Sequence, residues 1–313
     1  MRAKKWLPLV PALLVLLLSG CRLPDRRPLI FIIVPSQDNP FFKAEADAAD
    51  AEAHRLGYRT RVDAHEDDAY RQDNLIDAAI ASGSVAIILD NAGSEASIAA
   101  IRRATKAGIP VFLMDRAIAA DGIAKVQIIA DNSQGARLVA TEFARALDGT
   151  GEYAELLGRE SDTNAQIRTQ GFHSILDSNH GLRLVSAQSA NWSQSEAFSK
   201  TETTLQAHPD IKGIIAGNDT MALGALAAVQ SAGRHDITIV GFDGSPDAVA
   251  AIRADLMDAT ALQPAVVIAR LTVDEANQFL NTGSTGKPER QIIPCELVTR
   301  KKADSYQNFE RVN

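Results

Sequence analysis

From Leu29 onward the chain alternates short runs of consecutive apolar residues, many of them β-branched, with longer stretches whose apolar residues return every three or four positions. The short runs predict strands buried on both faces, at Leu29–Val34, Tyr58–Val62, Val85–Leu89, Val111–Met114 and Val126–Ala130 in the first half. In the second half they fall at Glu152–Leu157, Leu182–Ala187, Gly213–Ala216, Ile237–Phe242 and Ala259–Leu262. The longer stretches predict amphipathic helices: Phe42, Ala46, Ala49, Ala53 and Leu56 share one face, as do Leu138, Val139, Phe143, Ala146 and Leu147. Gly57, Gly108, Gly149 and Gly233 follow helical stretches where a left-handed cap is expected. Each half is thus a β-α repetition, and the fold class is α/β, with two similar doubly wound parallel-sheet domains in tandem. A ligand of such sheets is expected beyond the carboxyl ends of the strands, in the cleft between the domains.

Ahead of this pattern, residues 1–20 carry a basic start (Arg2, Lys4, Lys5) and an apolar stretch from Trp6 to Leu18, followed by Ser19, Gly20 and Cys21. That is the layout of an export signal. The stretch is shorter than the roughly 20 apolar residues of a membrane span and contains Pro8 and Pro11. Leu18-Ser19-Gly20-Cys21 resembles the lipobox of bacterial lipoproteins. The resemblance implies that Cys21 becomes the lipidated first residue of the exported chain and that residues 21–28 are a tether to the membrane.

Three of the 32 Lys and Arg lie in the signal, leaving 29 against 39 Asp and Glu, a net charge of −10. Nucleic acid is excluded as a partner by that balance. With Cys21 lipidated, Cys295 has no partner for an intramolecular disulfide. The six histidines are scattered without metal-ligand spacing, and no calcium-loop pattern is found, so no metal and no cofactor are expected.

Polar residues collect just past the predicted strands. Asn39, Phe41 and Phe42 follow the first, Asp115-Arg116 the fourth and Asp131-Asn132 the fifth. Arg168, Trp192, Asn218-Asp219, Asp243 and Gln263 occupy corresponding places in the second half. Singly, each has an ordinary reading: Phe41 or Phe42 as core, Asp115-Arg116 as a local ion pair, Asp219 as helix N-terminal charge, Asp243 in a turn. Together they supply acceptor-only carboxylates, donor-only guanidinium forks and amides that do both, a set suited to sugar hydroxyls. Phe41, Phe42 and Trp192 could cover the apolar faces of a ring, although aromatics make up only 5% of the chain.

The segments DNPFF, VFLMDRA, IIADN, GNDTMALGALAAVQSAG and IVGFDGSPD, in that order, resemble the type I periplasmic sugar-binding proteins, most closely the ribose-binding branch. The resemblance covers nearly the whole exported chain. It implies ligand contacts at Asn39, Phe41, Phe42, Asp115, Arg116, Asn132, Arg168, Trp192, Asn218, Asp243 and Gln263. Pro35 stands where ribose binders have serine and Trp192 where they have phenylalanine, which leaves the sugar's identity open. It also implies an N-terminal domain of residues 29–131 plus 264–291 and a C-terminal domain of 132–263 plus 292–310, joined by a three-segment hinge.

The function expected is that of an exported, lipid-anchored, monomeric binding protein, facing the periplasm or cell exterior, that delivers a small sugar or polyol to an ABC permease and its ATPase. A receptor that shows its closed form to a chemoreceptor or sensor kinase remains a second reading. A sugar-responsive repressor of the related fold would need a DNA-binding helix pair before the first strand, where this chain has a signal and a short tether. Enzyme signatures are missing: there is no G-x-S-x-G, no H-E-x-x-H and no phosphate loop, since Pro288 follows Lys287 in the nearest match.

Overall fold

The computed structural model describes residues 25–312. Cys21 and the signal lie outside the described residues, and so do residues 22–24 of the tether. The first lobe is built from β1 (Leu29–Val34), β2 (Arg59–Ala64), β3 (Ala86–Leu89), β4 (Val111–Met114) and β5 (Val126–Ala130). Between these strands run α1 (Pro40–Arg55), α2 (Ala69–Ala81) and α3 (Ile98–Lys106). The second lobe repeats the plan with α4 (Asn132–Ala146), β6 (Thr150–Leu157), α5 (Thr163–Leu176), β7 (Gly181–Ser189) and α6 (Gln194–Ala207). It continues through β8 (Gly213–Ala216), α7 (Asp219–Ser231), β9 (Thr238–Val240), α8 (Pro246–Arg253) and β10 (Ala259–Leu262). The chain then returns through α9 (Ala265–Thr282) and β11 (Arg290–Ile293), crosses to β12 (Glu296–Thr299), and ends in a short hairpin of β13 (Tyr306–Gln307) and β14 (Glu310–Arg311).

The two sheets have orders β2-β1-β3-β4-β5-β11 and β7-β6-β8-β9-β10-β12. All neighbours are parallel except β12, which runs antiparallel to β10. This is the doubly wound order, with its reversal between β1 and β3 in one lobe and β6 and β8 in the other. The strand β1 shows why it forms. Its LIFIIV run is buried throughout; Ile30, Ile32 and Val34 enter the core under α1 and α9, and Phe31 and Ile33 enter the core under α2 and α3.

Three crossings join the lobes: β5 to α4 at Asp131-Asn132, β10 to α9 through Gln263-Pro264, and β11 to β12 through Pro294-Cys295. The first and third are tied to each other. Asp131 N donates to Ile293 O (2.7 Å), Cys295 N donates to Gln134 Oε1 (2.9 Å), and Gln134 Nε2 donates back to Cys295 O (3.1 Å). Cys295 is a buried free thiol, pushed up to about 12 by burial, so it packs as a small apolar group and stays un-ionised at neutral pH.

Residues 302–312 fold back onto both lobes. Arg253 of α8 donates to Ala303 O (2.8 Å), and Phe309 is buried edge-on against Phe41 of α1 with ring centroids 5.6 Å apart. One well-placed aromatic anchors a stretch too short to show a period. It links α8 of the second lobe to α1 of the first.

Candidate ligand-binding cleft

The carboxyl ends of both sheets face each other, and the loops and helix starts there form a narrow cleft whose walls lie close together. Ten of the eleven residues expected to touch ligand line it: Asn39, Phe41, Phe42, Asp115, Arg116, Arg168, Trp192, Asn218, Asp243 and Gln263.

The eleventh, Asn132, stands behind the wall. Its Oδ1 accepts from Arg168 Nε (2.7 Å), and its Nδ2 donates to Asn164 Oδ1 (3.1 Å). Asn132 therefore orients two lining residues and does not itself line the cavity. Asp162 and Asn164 do line it, although the sequence did not single them out. In sequence, Asp162 reads only as the cap of α5, and it does hold Asn164 N (2.9 Å). The missed signal was the pair's position just past β6, the same place in the second lobe that Asn39 occupies past β1.

Each half of the cavity carries an aspartate in an unusual backbone state. Asp115 past β4 has φ +59° and Asp243 past β9 has φ +123°, and Trp192 has φ +65°. L-residues adopt such angles at a cost that the surrounding packing must offset, a feature concentrated at functional sites. At Asp243 the compensation is visible: its N–H donates to Ala261 O (2.8 Å), and Gln263 N–H donates to Asp243 O (3.0 Å).

The side chains form two charged clusters. In the second lobe Arg168 Nη1 donates to Gly217 O (2.8 Å) and lies 3.4 Å from Asp243 Oδ1, which also accepts from Gln263 Nε2 (2.7 Å). The Arg168 guanidinium stacks on Phe242 at 4.0 Å and faces Trp192 at 5.4 Å. The indole fits because residue 158 is glycine; a Cβ there would collide with it. Asp162 Oδ2 accepts from Trp192 Nε1 (3.2 Å), which fixes the ring in its plane.

In the first lobe Arg116 stacks on Phe42 at 4.9 Å and meets carboxylates on several sides: Asp67 at 2.8 Å, Asp162 at 2.9 Å, Asp90 at 3.5 Å and Asp115 at 3.9 Å. Burial opposes its charge, but these neighbours outweigh burial and raise its pKa well above the ordinary value. The Asp115-Arg116 contact is thus only the longest of four ion pairs. Burial pushes Asp115 up to about 6 against the pull of Arg116, and raises Asp243 well above the usual carboxylate range against Arg168.

Three of these contacts cross between the lobes: Arg116 to Asp162, Asn164 Nδ2 to Asp115 Oδ1 (3.4 Å), and Arg159 to Asp67 (3.5 Å). The lobes are therefore closed on the cavity. Within the walls, Arg116 Nη2 and Gln263 Oε1 are buried with no hydrogen-bond partner in the protein, one a donor and the other an acceptor. Buried groups of that kind are costly unless something completes them.

Asn39 and Asn218 each serve twice. Their Oδ1 atoms cap α1 and α7, accepting from Phe41 N (3.0 Å) and Met221 N (2.9 Å). Asp219 does more than the helix N-terminal charge expected of it. It is buried, and its carboxylate accepts from Thr260 Oγ1 (2.7 Å) and Ser245 N (2.6 Å), pinning the loop that carries Asp243.

A family model for the periplasmic binding protein domain matches residues 30–285. A D-apiose import binding protein of Paraburkholderia graminis is 53% identical over 307 residues, covering 98% of each chain. A D-apiose import binding protein of Actinobacillus succinogenes is 52% identical, covering 90% of this chain and 91% of that one. Among solved structures, an ABC transporter periplasmic solute binding protein from Actinobacillus succinogenes with bound D-allose superposes with a TM-score of 0.83. It is 28% identical, over 90% of this chain and all of that one. The chain therefore belongs to the periplasmic binding protein family, in its type I sugar-binding branch, and is a binding protein, not an enzyme.

Proposed function

We propose that this chain is the exported, lipid-anchored substrate-binding protein of an ABC importer, and that its ligand is a small sugar of the D-apiose type. The observation that carries the sugar reading is the enclosed wall of paired carboxylates and guanidiniums, in which Arg116 Nη2 and Gln263 Oε1 are left for a ligand to satisfy. A sugar hydroxyl donates and accepts at once, so one small polyol can serve both atoms. The relatives at 53% and 52% identity favour D-apiose over the other sugars, and their names as import proteins favour delivery to a permease over signalling to a kinase.

Asn39, Asp115, Arg116, Arg168, Asn218, Asp243 and Gln263 would hold the hydroxyls, with Phe41, Phe42 and Trp192 against the carbon faces. The two lobes would move as rigid bodies on the three crossings. Ligand stabilises the closed form because only there does it touch both walls at once. The permease would then read that closed surface, and ATP hydrolysis belongs to its partner subunits.

The test is a thermal-shift panel of D-apiose, D-ribose, D-allose and myo-inositol on the monomeric protein lacking residues 1–20. Ligand at about 100 times its Kd adds about 2.7 kcal/mol of stability. D-apiose is expected to give the largest shift, and no shift with any of the four would sink the reading.

A further inference from the structure

Glu45 lies one helical turn beyond Phe41 on α1, fully buried, and neither of its carboxyl oxygens has a hydrogen-bond partner. Asp90, just past β3, is likewise fully buried with neither oxygen hydrogen-bonded, although Oδ1 lies 3.5 Å from Arg116 Nε. These two and Asp115 offer one ligand atom each within 4.8 Å of one another. Neither Glu45 nor Asp90 lines the cavity; they stand behind Asp115, which does.

Three full negative charges do not persist at that spacing out of water. The nearest cation is Arg116, 3.5 Å from Asp90 and 3.9 Å from Asp115, and it is already shared with Asp67 and Asp162. A hard cation such as calcium needs six to eight oxygens, more than three carboxylates beside a guanidinium supply. A proton on one carboxylate removes a charge with no further ligand.

We propose that Glu45 is a positioning residue of the cleft: a buried, neutral carboxylic acid that keeps its own proton and so leaves Asp115, in front of it, as the charged acceptor that meets the ligand. This inference rests on the sugar-binding reading above. The surroundings favour it. Burial raises Glu45 and Asp90 well above the usual carboxylate range, with Asp115 adding to the rise at Glu45, whereas Asp115 reaches only about 6.

The other charged groups that face the pair come from every neighbouring element. Asp243 past β9 adds to the negative field at Glu45, and Asp67 and Asp162 add to it at Asp90. Arg116 opposes both. His65 Nε2 donates to Asp90 O (2.8 Å), its Nδ1 accepts from Asp67 N (3.0 Å), and burial lowers its pKa to about 4 and keeps it neutral. On α9, Arg270 and Asp274 act on Glu52 and Arg55, farther along α1, and Glu310 of the C-terminal hairpin pairs with Arg270.

Loss of the Glu45 proton at alkaline pH would crowd Asp115 with new negative charge and weaken ligand binding. The experiment compares the wild type with Glu45→Gln, an isostere that cannot titrate, in two arms. In the ligand-free arm, Tm is followed from pH 5 to 9. A carboxyl whose folded pKa is raised makes stability fall as pH rises above its unfolded value, so the wild-type Tm should fall more steeply than that of E45Q. In the ligand arm, D-apiose affinity is followed from pH 6 to 9. Wild-type Kd should weaken by about tenfold and that of E45Q by less than about twofold.

Equal slopes in the ligand-free arm would overturn the neutral Glu45. Equal pH profiles of Kd would overturn the positioning role. A stoichiometric divalent ion released on unfolding would also overturn it, by assigning the carboxylates to a metal. If D-apiose and the rest of the sugar panel fail to bind the wild type, the functional reading fails, and the ligand-free arm alone decides the proton.

Discussion

Arg116 Nε of the first lobe lies 2.9 Å from Asp162 Oδ2 of the second, with side chains 3% and 4% exposed. This buried pair exists only while the lobes are together, and the same Asp162 carboxylate holds the Trp192 indole. Closing the cleft therefore assembles an ion pair and fixes an aromatic wall in one step. Asp162→Asn keeps the shape and removes the charge. Leaving one charge of a buried ion pair without its partner is costly, so the variant's Kd should rise at least about tenfold with an unchanged fold by circular dichroism. An unchanged Kd by calorimetry would show that the pair does not help closure.

Gly158 is the place where the backbone passes under Trp192, and a methyl group there would strike the ring. Gly158→Ala should displace the indole, weaken sugar binding, and cost about 1–3 kcal/mol of stability, the usual cost of overpacking. The readout is built in. Trp6 and Trp192 are the two tryptophans of the chain, so protein lacking residues 1–20 reports only the cleft. Its fluorescence should change on adding ligand, and G158A should alter the ligand-free spectrum; a spectrum insensitive to both would contradict this placement of Trp192.

His173 should make stability fall with alkaline pH. Its hydrogen bond with Glu155 (2.9 Å) and then that with Asp177 (3.0 Å) raise it to about 9. Since the folded value lies above the unfolded one near 6.5, the stabilisation is complete below about pH 6.5 and is lost as pH rises through 9. His173→Gln should lower Tm at pH 6 and leave it close to wild type above pH 9.5. A Tm difference that does not vary with pH would rule out this linkage.

Cys21 as a lipid anchor predicts that the full chain expressed in a bacterium partitions with membranes and carries an acylated N-terminal cysteine by mass spectrometry. Cys21→Ser should release it into the soluble fraction. An unmodified cysteine in the purified mature protein would replace the anchor by an ordinary export signal.

Much of the scaffold was legible because buried parallel strands advertise themselves. β1, β4, β5, β8 and β10 have the bounds read from their apolar runs. The edge strands blur: β2 runs from Arg59 to Ala64, where Tyr58–Val62 was read, because it alternates charged and apolar residues. β11 (RQII) and β12 (ELVT) left no usable signal, since each is a short, half-polar strand that borrows its stability from the sheet edge it joins.

The cleft shows the same division. Residues set in recognisable motifs, such as Asp115-Arg116 and Asp243, were readable. Asp162, Glu45 and Asp90 were not, because a lone carboxylate reads as solvent-facing until the fold buries it. Asn132 was assigned to the ligand, yet its amide is spent on Arg168 and Asn164. Which polar residue touches ligand and which one holds its neighbour is a matter of depth, and depth is not written in local sequence.

The central claim is that this closed, charge-lined cavity takes a small sugar of the D-apiose type, and isothermal titration of the purified protein with D-apiose measures it most directly. A single site per chain is expected, with a Kd at least about tenfold below that for D-ribose and no detectable binding to Asp243→Ala. Absence of heat with D-apiose at millimolar concentration, or equal affinity of wild type and D243A, would contradict the account.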